Sequence, residues 1–554
     1  MLQVHINNLK FKSNKIKKNN ILYLSTLVLV FLVYSLLNLN ILHLNLAYSY
    51  NSSLNSLIEK NDQNEFFNQI FKLFALSKPD CLKLSKYKKS PKEIDRLSYE
   101  KTEGPILSEY YLSKFLQLSK KQYNDLLQSH NNLVNNLPHK NLLKNKNFYK
   151  GNGIVFVGGD DFNWLNLLSI KFLRNMGSNL PIEIFIPNLT YSPNDLFFCE
   201  NILPQYNAEC ILLSSYLNEK TLSTFSFKGY QYKSLALLFS SFENVLLLDS
   251  DNLPVKNPDY IFKNSIFKEK GLFIWPDYWK RTTSPFFYKI ANLKILNKRV
   301  RFGYNNIEKI KKNFDQDLNS NIINSNTVPF HDREGSIPNP TSESGQILIN
   351  KSSHFNTILL SLYYNIFGPE YYYPLLSQGT SGQGDKETFL CANIVLGNSY
   401  FQIKEKAGAI GQWIKDSGEE KLNFFGHGIA QNDPIEEYLY EHGDRIDKAN
   451  VMFIHANYPK MNPFKLVKEK LLKYHDGKNY QRFYGHIQIS NNSIDFELQL
   501  WSVIKSLLND YKYDLHKLFE DFDGKNIKLR DEVLKQVDEF YNYLEKTSKL
   551  KNIL

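Results

Sequence analysis

An α/β domain is what this sequence predicts, and three observations predict it. Ile154-Val-Phe-Val-Gly158 is a short apolar run that ends in Gly-Gly-Asp-Asp, an amphipathic stretch follows at WLNLLSIKFLRNMG, and Leu180 to Pro187 is a second apolar run. Strand, helix and strand in that order make a βαβ unit and predict a parallel sheet. Asn244-Val-Leu-Leu-Leu248 is apolar almost throughout, the pattern of a strand buried on both faces. The acidic and basic motifs stand just after such runs, where open α/β sheets hold their ligands.

The remaining elements follow in chain order. Ile211-Leu-Leu predicts a third strand, and Lys233 to Phe242 (KSLALLFSSF) a helix leading into the Asn244 strand. Gly271-Leu-Phe-Ile-Trp275, Gln346-Ile-Leu-Ile-Asn350 and Val451-Met-Phe-Ile454 read as further strands. Before this domain, LNSLIEKNDQNEFFNQIFKLFALS and LSEYYLSKFLQLSKKQYNDLLQ carry apolar residues at three- and four-residue spacing, so a helical collar is expected. After it, LQLWSVIKSLLNDYKYDLHKLFEDF repeats that pattern as packing structure.

Composition narrows the function classes. The chain has 554 residues, 42% apolar, 14% aromatic and 22% charged, which excludes a disordered or fibrous protein. Four cysteines, Cys81, Cys199, Cys210 and Cys391, are too few and scattered for a disulfide scaffold or a cysteine zinc module. Cys199 and Cys210 are close enough in sequence to pair in an oxidising compartment.

The formal charge of +11 is local in part. Lys10, Lys12, Lys15, Lys17 and Lys18 precede the first acidic residue, Glu59. Ile21 to Leu37 is then uncharged and apolar, and the apolar character runs on to Ala47. Some 20 such residues span a hydrocarbon core, and lysines on the N-terminal side keep that end in the cytosol. The expected plan is a cytosolic tail at 1–20, a transmembrane signal anchor at 21–47, a luminal stem and helical collar at 48–149, a catalytic domain at 150–490 and a C-terminal helical extension at 491–554. A luminal domain gives meaning to the sequons at Asn51, Asn188 and Asn491, whereas Asn350 lies inside a structured segment. Nucleic-acid binding is not expected, because the anchor explains the lysines and no nucleic-acid fold motif is present.

Two strand ends carry the chemistry. Asp249-Ser250-Asp251 follows the Asn244 strand, and paired carboxylates there can bind a hard divalent cation together with diphosphate oxygens. His455-Ala-Asn457-Tyr-Pro-Lys460 follows the Val451 strand; a neutral imidazole can complete Mn²⁺ coordination and the ammonium can meet phosphate charge. Between them, Thr341-Ser-Glu343-Ser-Gly345-Gln346 enters a strand, and Gly382-Gln-Gly384-Asp385-Lys386-Glu387 alternates carboxylates with a lysine. Asp385 and Glu387 could orient sugar hydroxyls or stabilise an oxocarbenium-like centre, and they also read as the first turn of a helix. Trp275-Pro-Asp277-Tyr-Trp279 and Tyr371-Tyr-Tyr-Pro374 suit either sugar stacking or the core.

The succession YKSLALLFSSFENVLLLDSDNLPVKNPD, GLFIWPDYWKRTTSP, TSESGQILINKSSH, YYNIFGPEYYYPLLSQGTSGQGDKETF and FIHANYPKMNP closely resembles the fungal mannan α-mannosyltransferases of glycosyltransferase family 71, across roughly residues 150 to 465. The resemblance implies a GT-A-like fold, GDP-mannose as donor, Mn²⁺ or another divalent cation, and retaining transfer to an α-mannoside of N-linked mannan outer chains. It implies a type II Golgi membrane protein with a luminal catalytic domain, and it allows a complex with other mannosyltransferases. The α-1,2 branch looks closer than the α-1,3 branch; a non-catalytic mannan-binding subunit is the rival from another class. By position, Asp249, Asp251 and His455 match the metal ligands, and Lys233, Asp249, Asp251 and Lys460 the donor-binding set. Glu343, Asp385 and Glu387 match the family's acidic positions and are the catalytic candidates.

Overall fold

The structure is a computed structural model that describes residues 62–98, 104–138, 148–301, 328–415, 422–474, 477–485, 488–489, 494–519 and 522–548. The expected tail, the anchor, and the sequons Asn51 and Asn491 lie outside those residues. Among the described residues, no helix is long and apolar enough to cross a membrane.

A seven-stranded sheet organises the chain. Its strands are β1 (Asn152–Val157), β2 (Ile182–Ile186), β3 (Ala208–Leu212), β4 (Asn244–Leu248), β6 (Leu272–Pro276), β7 (Ser342–Asn350) and β8 (Phe401–Gln402), in the spatial order β3-β2-β1-β4-β7-β6-β8. The first half is parallel, as the βαβ pattern predicts. The expectation of a parallel sheet fails at β7, which runs antiparallel to both β4 and β6. The reason lies in the connection. The long segment after β6 leaves and returns at the same end of the sheet, where Asp277 N–H donates to Thr341 O at 2.8 Å, so the chain must re-enter in the opposite direction.

A second sheet, β5-β11-β10-β9, comprises β5 (Asn252–Pro254), β9 (Gly408–Lys415), β10 (Leu422–Asn432) and β11 (Val451–His455), all antiparallel. Three residues separate the end of β4 from the start of β5, so one short turn passes the chain between sheets.

Side chains alternate across the main sheet with the period of two that strands impose. Val155, Val245 and Leu247 join one core, while Ile154, Phe156, Leu246 and Leu248 join the other. The first core is roofed by the helices Gln231–Phe239 and Lys351–Ile366 and by the collar, through Phe66, Phe67, Phe71 and Leu126. The second is roofed by the helices Phe496–Asp510 and Ile527–Thr547, through Leu500, Trp501 and Phe540. Collar and C-terminal helices thus bury the two faces of the main sheet. The collar pattern LSEYYLSKFLQLSKKQYNDLLQ breaks into Glu109–Leu112 and Lys120–Asn136, because Ser119 and Gln122 form a capping box that starts a new helix. Cys199 and Cys210 form a disulfide.

Candidate active site

The site forms where the two sheets meet. At the end of β4, Asp249 N–H donates to Gly345 O of the neighbouring β7 at 2.8 Å, and Asn252 N–H turns back onto Asp249 O at 2.9 Å. The chain then enters β5, whose partner β11 sets His455 opposite Asn252, and Ala456 N–H donates to Asp251 O at 2.9 Å. Those ladder bonds bring one ligand atom each of Asp249, Asp251 and His455 within 4.8 Å of one another. The approach is close enough to need a glycine: a Cβ on Gly345 would lie 2.6 Å from His455 Nδ1.

Charges interlock around this triad. His455 Nε2 is 3.2 Å from Asp251 and 3.9 Å from Asp249, and its Nδ1 is 3.8 Å from Glu343. Lys460 caps Asp251 from the more exposed side. Lys233, from the helix before β4, lies 2.8 Å from Asp249 and 3.5 Å from Asp385, and donates to Ser344 O at 3.2 Å. Burial opposes the charge on His455, yet Asp251, Glu343 and Asp249 outweigh it and raise the imidazole to about 9. Burial likewise opposes ionisation of Asp251, but His455 and Lys460 hold it below the usual carboxylate range. Lys233 is pushed up the same way by Asp249 and Asp385 against burial. Glu343 and Asp385 are both raised, chiefly by burial.

A cavity of about 530 Å³ opens on this cluster, within the size range of small-ligand sites. Of the sequence-predicted residues, Lys233, Asp249, Glu343 and Asp385 line it; Asp251, His455 and Lys460 stand behind Asp249. Glu387 does not line it. Its carboxylate pairs with the fully buried Arg281 and accepts from Ser342 N–H at 2.8 Å. Tyr371, Tyr372 and Tyr373 are core, whereas Tyr278 and Trp279 reach the cavity wall. Asn188, the one glycosylation candidate among the described residues, lies in the loop after β2 and is half-buried.

Sequence reasoning missed several lining residues. Asp277, held 2.5 Å from Lys386, sits in a motif that reads as aromatic. His427 belongs to β10, a glycine-broken strand that apolar periodicity does not reveal, and it is held by a 2.9 Å contact from Nδ1 to Tyr458 O. Arg96 comes from the collar, where no motif signals a site.

Comparison with known proteins identifies the family of the chain. Residues 151–433 match the family model described as "Mannosyltransferase putative". The chain is 41% identical over 519 residues to alpha-1,2-mannosyltransferase MNN21 of Candida albicans, covering 88% of this chain and 76% of that protein. It is 38% identical to alpha-1,2-mannosyltransferase MNN2 of Saccharomyces cerevisiae, over 74% of this chain and 72% of that one. It is 32% identical to alpha-1,2-mannosyltransferase MNN5 of Saccharomyces cerevisiae strain YJM789, over 91% and 93%. Among solved structures, the glycosyltransferase GlyE of Streptococcus pneumoniae TIGR4 shares 14% identity over 46% of this chain and 45% of that chain, with a TM-score of 0.27, too loose a likeness to bear on function. On the sequence relatives and the matched family model, the chain belongs to the family of fungal α-1,2-mannosyltransferases.

Proposed function

We propose that this chain is a type II Golgi membrane enzyme with a luminal GT-A-like domain, which transfers mannose from GDP-mannose in α-1,2 linkage to α-mannosides of N-linked mannan outer chains, with retention. The observation that carries the reading is the Asp249, Asp251 and His455 cluster, which meets through Asp249 a cavity lined by further carboxylates, in a chain of this family. The Cys199–Cys210 disulfide supports an oxidising lumen.

The three side chains fit a divalent cation. Two carboxylates and one imidazole each bring a ligand atom within 4.8 Å of the others, a donor set suited to Mn²⁺. Bound there, the cation would supply positive charge to the diphosphate. The chain's own residues do the rest. Lys233 holds Asp249 and Asp385 in place from below. Lys460, half-exposed and paired with Asp251, would exchange that partner for a phosphate oxygen and stabilise departing GDP. In the transfer, the bond from mannose C1 to the diphosphate oxygen breaks, and a bond from C1 to an acceptor hydroxyl oxygen forms on the same face. The hydroxyl proton passes to the departing phosphate oxygen. Glu343 and Asp385 face the reacting sugar as the carboxylates that stabilise positive charge at C1 or attack it. Glu387 is left out of this chemistry by its buried pairing with Arg281.

The test incubates the full-length membrane protein with GDP-mannose, Mn²⁺ and an α-1,6-mannan oligosaccharide, reading products by mass and linkage. An α-1,2-linked hexose that vanishes with EDTA and with Asp249→Ala supports the reading. An α-1,3 product would overturn the linkage, and no transfer by a folded, GDP-binding protein would overturn the function.

A further inference from the structure

Among the described residues, the collar reaches the active-site cavity through the segment Ile94–Ser98. Four attachments fix it against the catalytic domain. Ile94 is buried in the core shared with the main sheet. The Asp95 carboxylate accepts from Ser381 N–H and Ser381 Oγ, each at 2.7 Å. Leu97 O accepts from Lys280 N–H at 2.7 Å, and Ser98 makes an antiparallel bridge to Trp279. Held at both ends, Arg96 adopts a left-handed backbone with φ of 49°. Such a conformation is uncommon for a residue with a Cβ and persists where its surroundings enforce it.

That conformation puts the Arg96 side chain on the cavity wall beside Tyr278, Trp279 and Ser381. The other cations around the cluster are already matched: Lys233 with Asp249 and Asp385, Lys386 with Asp277, and Lys460 with Asp251. No hydrogen bond or ion pair joins the Arg96 guanidinium to another side chain among the described residues. It is an exposed, rigidly mounted fork of donors at the rim of a substrate cavity.

Topology says which substrate it faces. In open α/β sheets the nucleotide lies outside the carboxyl ends of the parallel strands, here β1 to β4. Among the described residues, the loops after β1 and β2 contribute nothing to this cavity's lining, and the connection after β3 contributes Tyr230 and Lys233. The cavity instead extends from Asp249 toward the segment after β6, the 381–386 turn and β10. Two residues after Arg96, Ser98 is bridged to Trp279 in the segment after β6, and β6 lies beyond β7 on the opposite side of β4 from β1, β2 and β3.

We propose that Arg96 is an acceptor-binding residue, a guanidinium supplied by the collar that donates hydrogen bonds to hydroxyls of the α-mannoside chain receiving the sugar. This rests on the mannosyl-transfer reading above and assigns the acceptor side of that site. The collar then belongs to the specificity apparatus, with Asp95 as the positioning residue that aims Arg96.

The experiment compares full-length wild type, Arg96→Ala, Arg96→Lys and Asp95→Asn, after thermal melting shows each to be folded. Steady-state kinetics vary GDP-mannose and an α-mannotriose acceptor separately, and saturation-transfer NMR reads mannotriose binding without turnover. Arg96→Ala is expected to raise the acceptor KM about tenfold or more, the scale of a lost charged hydrogen bond, while the GDP-mannose KM moves less than about twofold by the same scale. Arg96→Lys is expected to restore part of the loss, and Asp95→Asn to reproduce part of it. An unchanged acceptor KM with unchanged mannotriose saturation transfer overturns the proposal and leaves the transfer reading standing. A rise confined to the GDP-mannose KM overturns it in favour of a phosphate contact. A wild type that binds mannotriose without transferring mannose defeats the transfer reading alone, and Arg96 is then judged on the NMR signal. A wild type that does neither defeats both.

Discussion

The Lys233 ammonium lies 2.8 Å from the Asp249 carboxylate, so the residue at the end of the central strand is held by a cation from the helix that precedes that strand. Asp385 stands 3.5 Å away on the other side of the same ammonium. Removing Lys233 leaves two carboxylates, one of them fully buried, without their shared counter-charge. Lys233→Ala is expected to lower kcat/KM by about two orders of magnitude, the scale of a lost charge-positioning group. It is also expected to raise the Mn²⁺ requirement in a metal titration. Wild-type kinetics in this variant would remove Lys233 from the site.

Gly345 offers a steric test of the proposed metal site that changes no charge. An alanine there brings its Cβ within 2.6 Å of His455 Nδ1 and 3.2 Å of Glu343 Oε1, so the imidazole must move. Gly345→Ala is expected to weaken Mn²⁺ activation about tenfold, with a stability loss of about 1–3 kcal/mol from overpacking. Mn²⁺-dependent transfer rates and thermal melts separate the two effects. Normal Mn²⁺ activation would show that His455 is not a ligand.

Glu387 separates folding from catalysis. Its partner Arg281 is fully buried and also donates to Pro338 O and Pro340 O, each at 2.8 Å. Glu387→Gln strips the carboxylate from a buried guanidinium, and the expected cost is about 3–5 kcal/mol. Differential scanning calorimetry should show the fall, while activity per folded molecule remains near wild type. Loss of activity with an unchanged melting temperature would return Glu387 to the chemistry.

His130 gives the fold an acid edge. It is buried, its Nε2 meets Tyr364 OH at 2.8 Å, and burial lowers its pKa from 6.5 to about 4. The unfolded chain therefore binds a proton that the folded one refuses between pH 6.5 and about 4. This contribution is complete above pH 6.5 and is lost as the pH falls toward 4, up to about 3 kcal/mol at 1.36 kcal/mol per unit. His331 is lowered further in the same direction, by burial and then Arg281. Melting temperatures from pH 7 to 4.5 should fall less steeply for His130→Gln than for wild type. Parallel slopes would refute the assignment.

What the sequence discloses and what it hides divide along physical lines. Asn244–Leu248 is legible because a strand buried on both faces must be apolar at successive positions, and the Asp249-Ser-Asp251 turn is legible because it ends such a run. The hairpin of β9 and β10 is not, because Gly411, Gly426 and Gly428 interrupt any alternation and the register slips between Gly426 and Gly428. His427 is hidden with it. The reversal of β7 is invisible as well, since strand direction follows from where a connection returns and leaves no periodic trace. Glu387 reads as an active-site acid from its motif, and its buried pairing with Arg281, 106 residues earlier in the chain, leaves no periodic trace in the sequence.

The segment recognised by the family model stops at residue 433, yet His455 and Lys460 arrive on the strand and turn that come later, and Arg96 arrives earlier. A protein trimmed to the recognised stretch would keep both aspartates and lose β11, the imidazole and the collar's guanidinium together. On the roles proposed for those residues, the smallest piece able to work is longer than the piece that is easiest to recognise, and a shortened protein would carry its flanks from the first collar helix through the C-terminal pair.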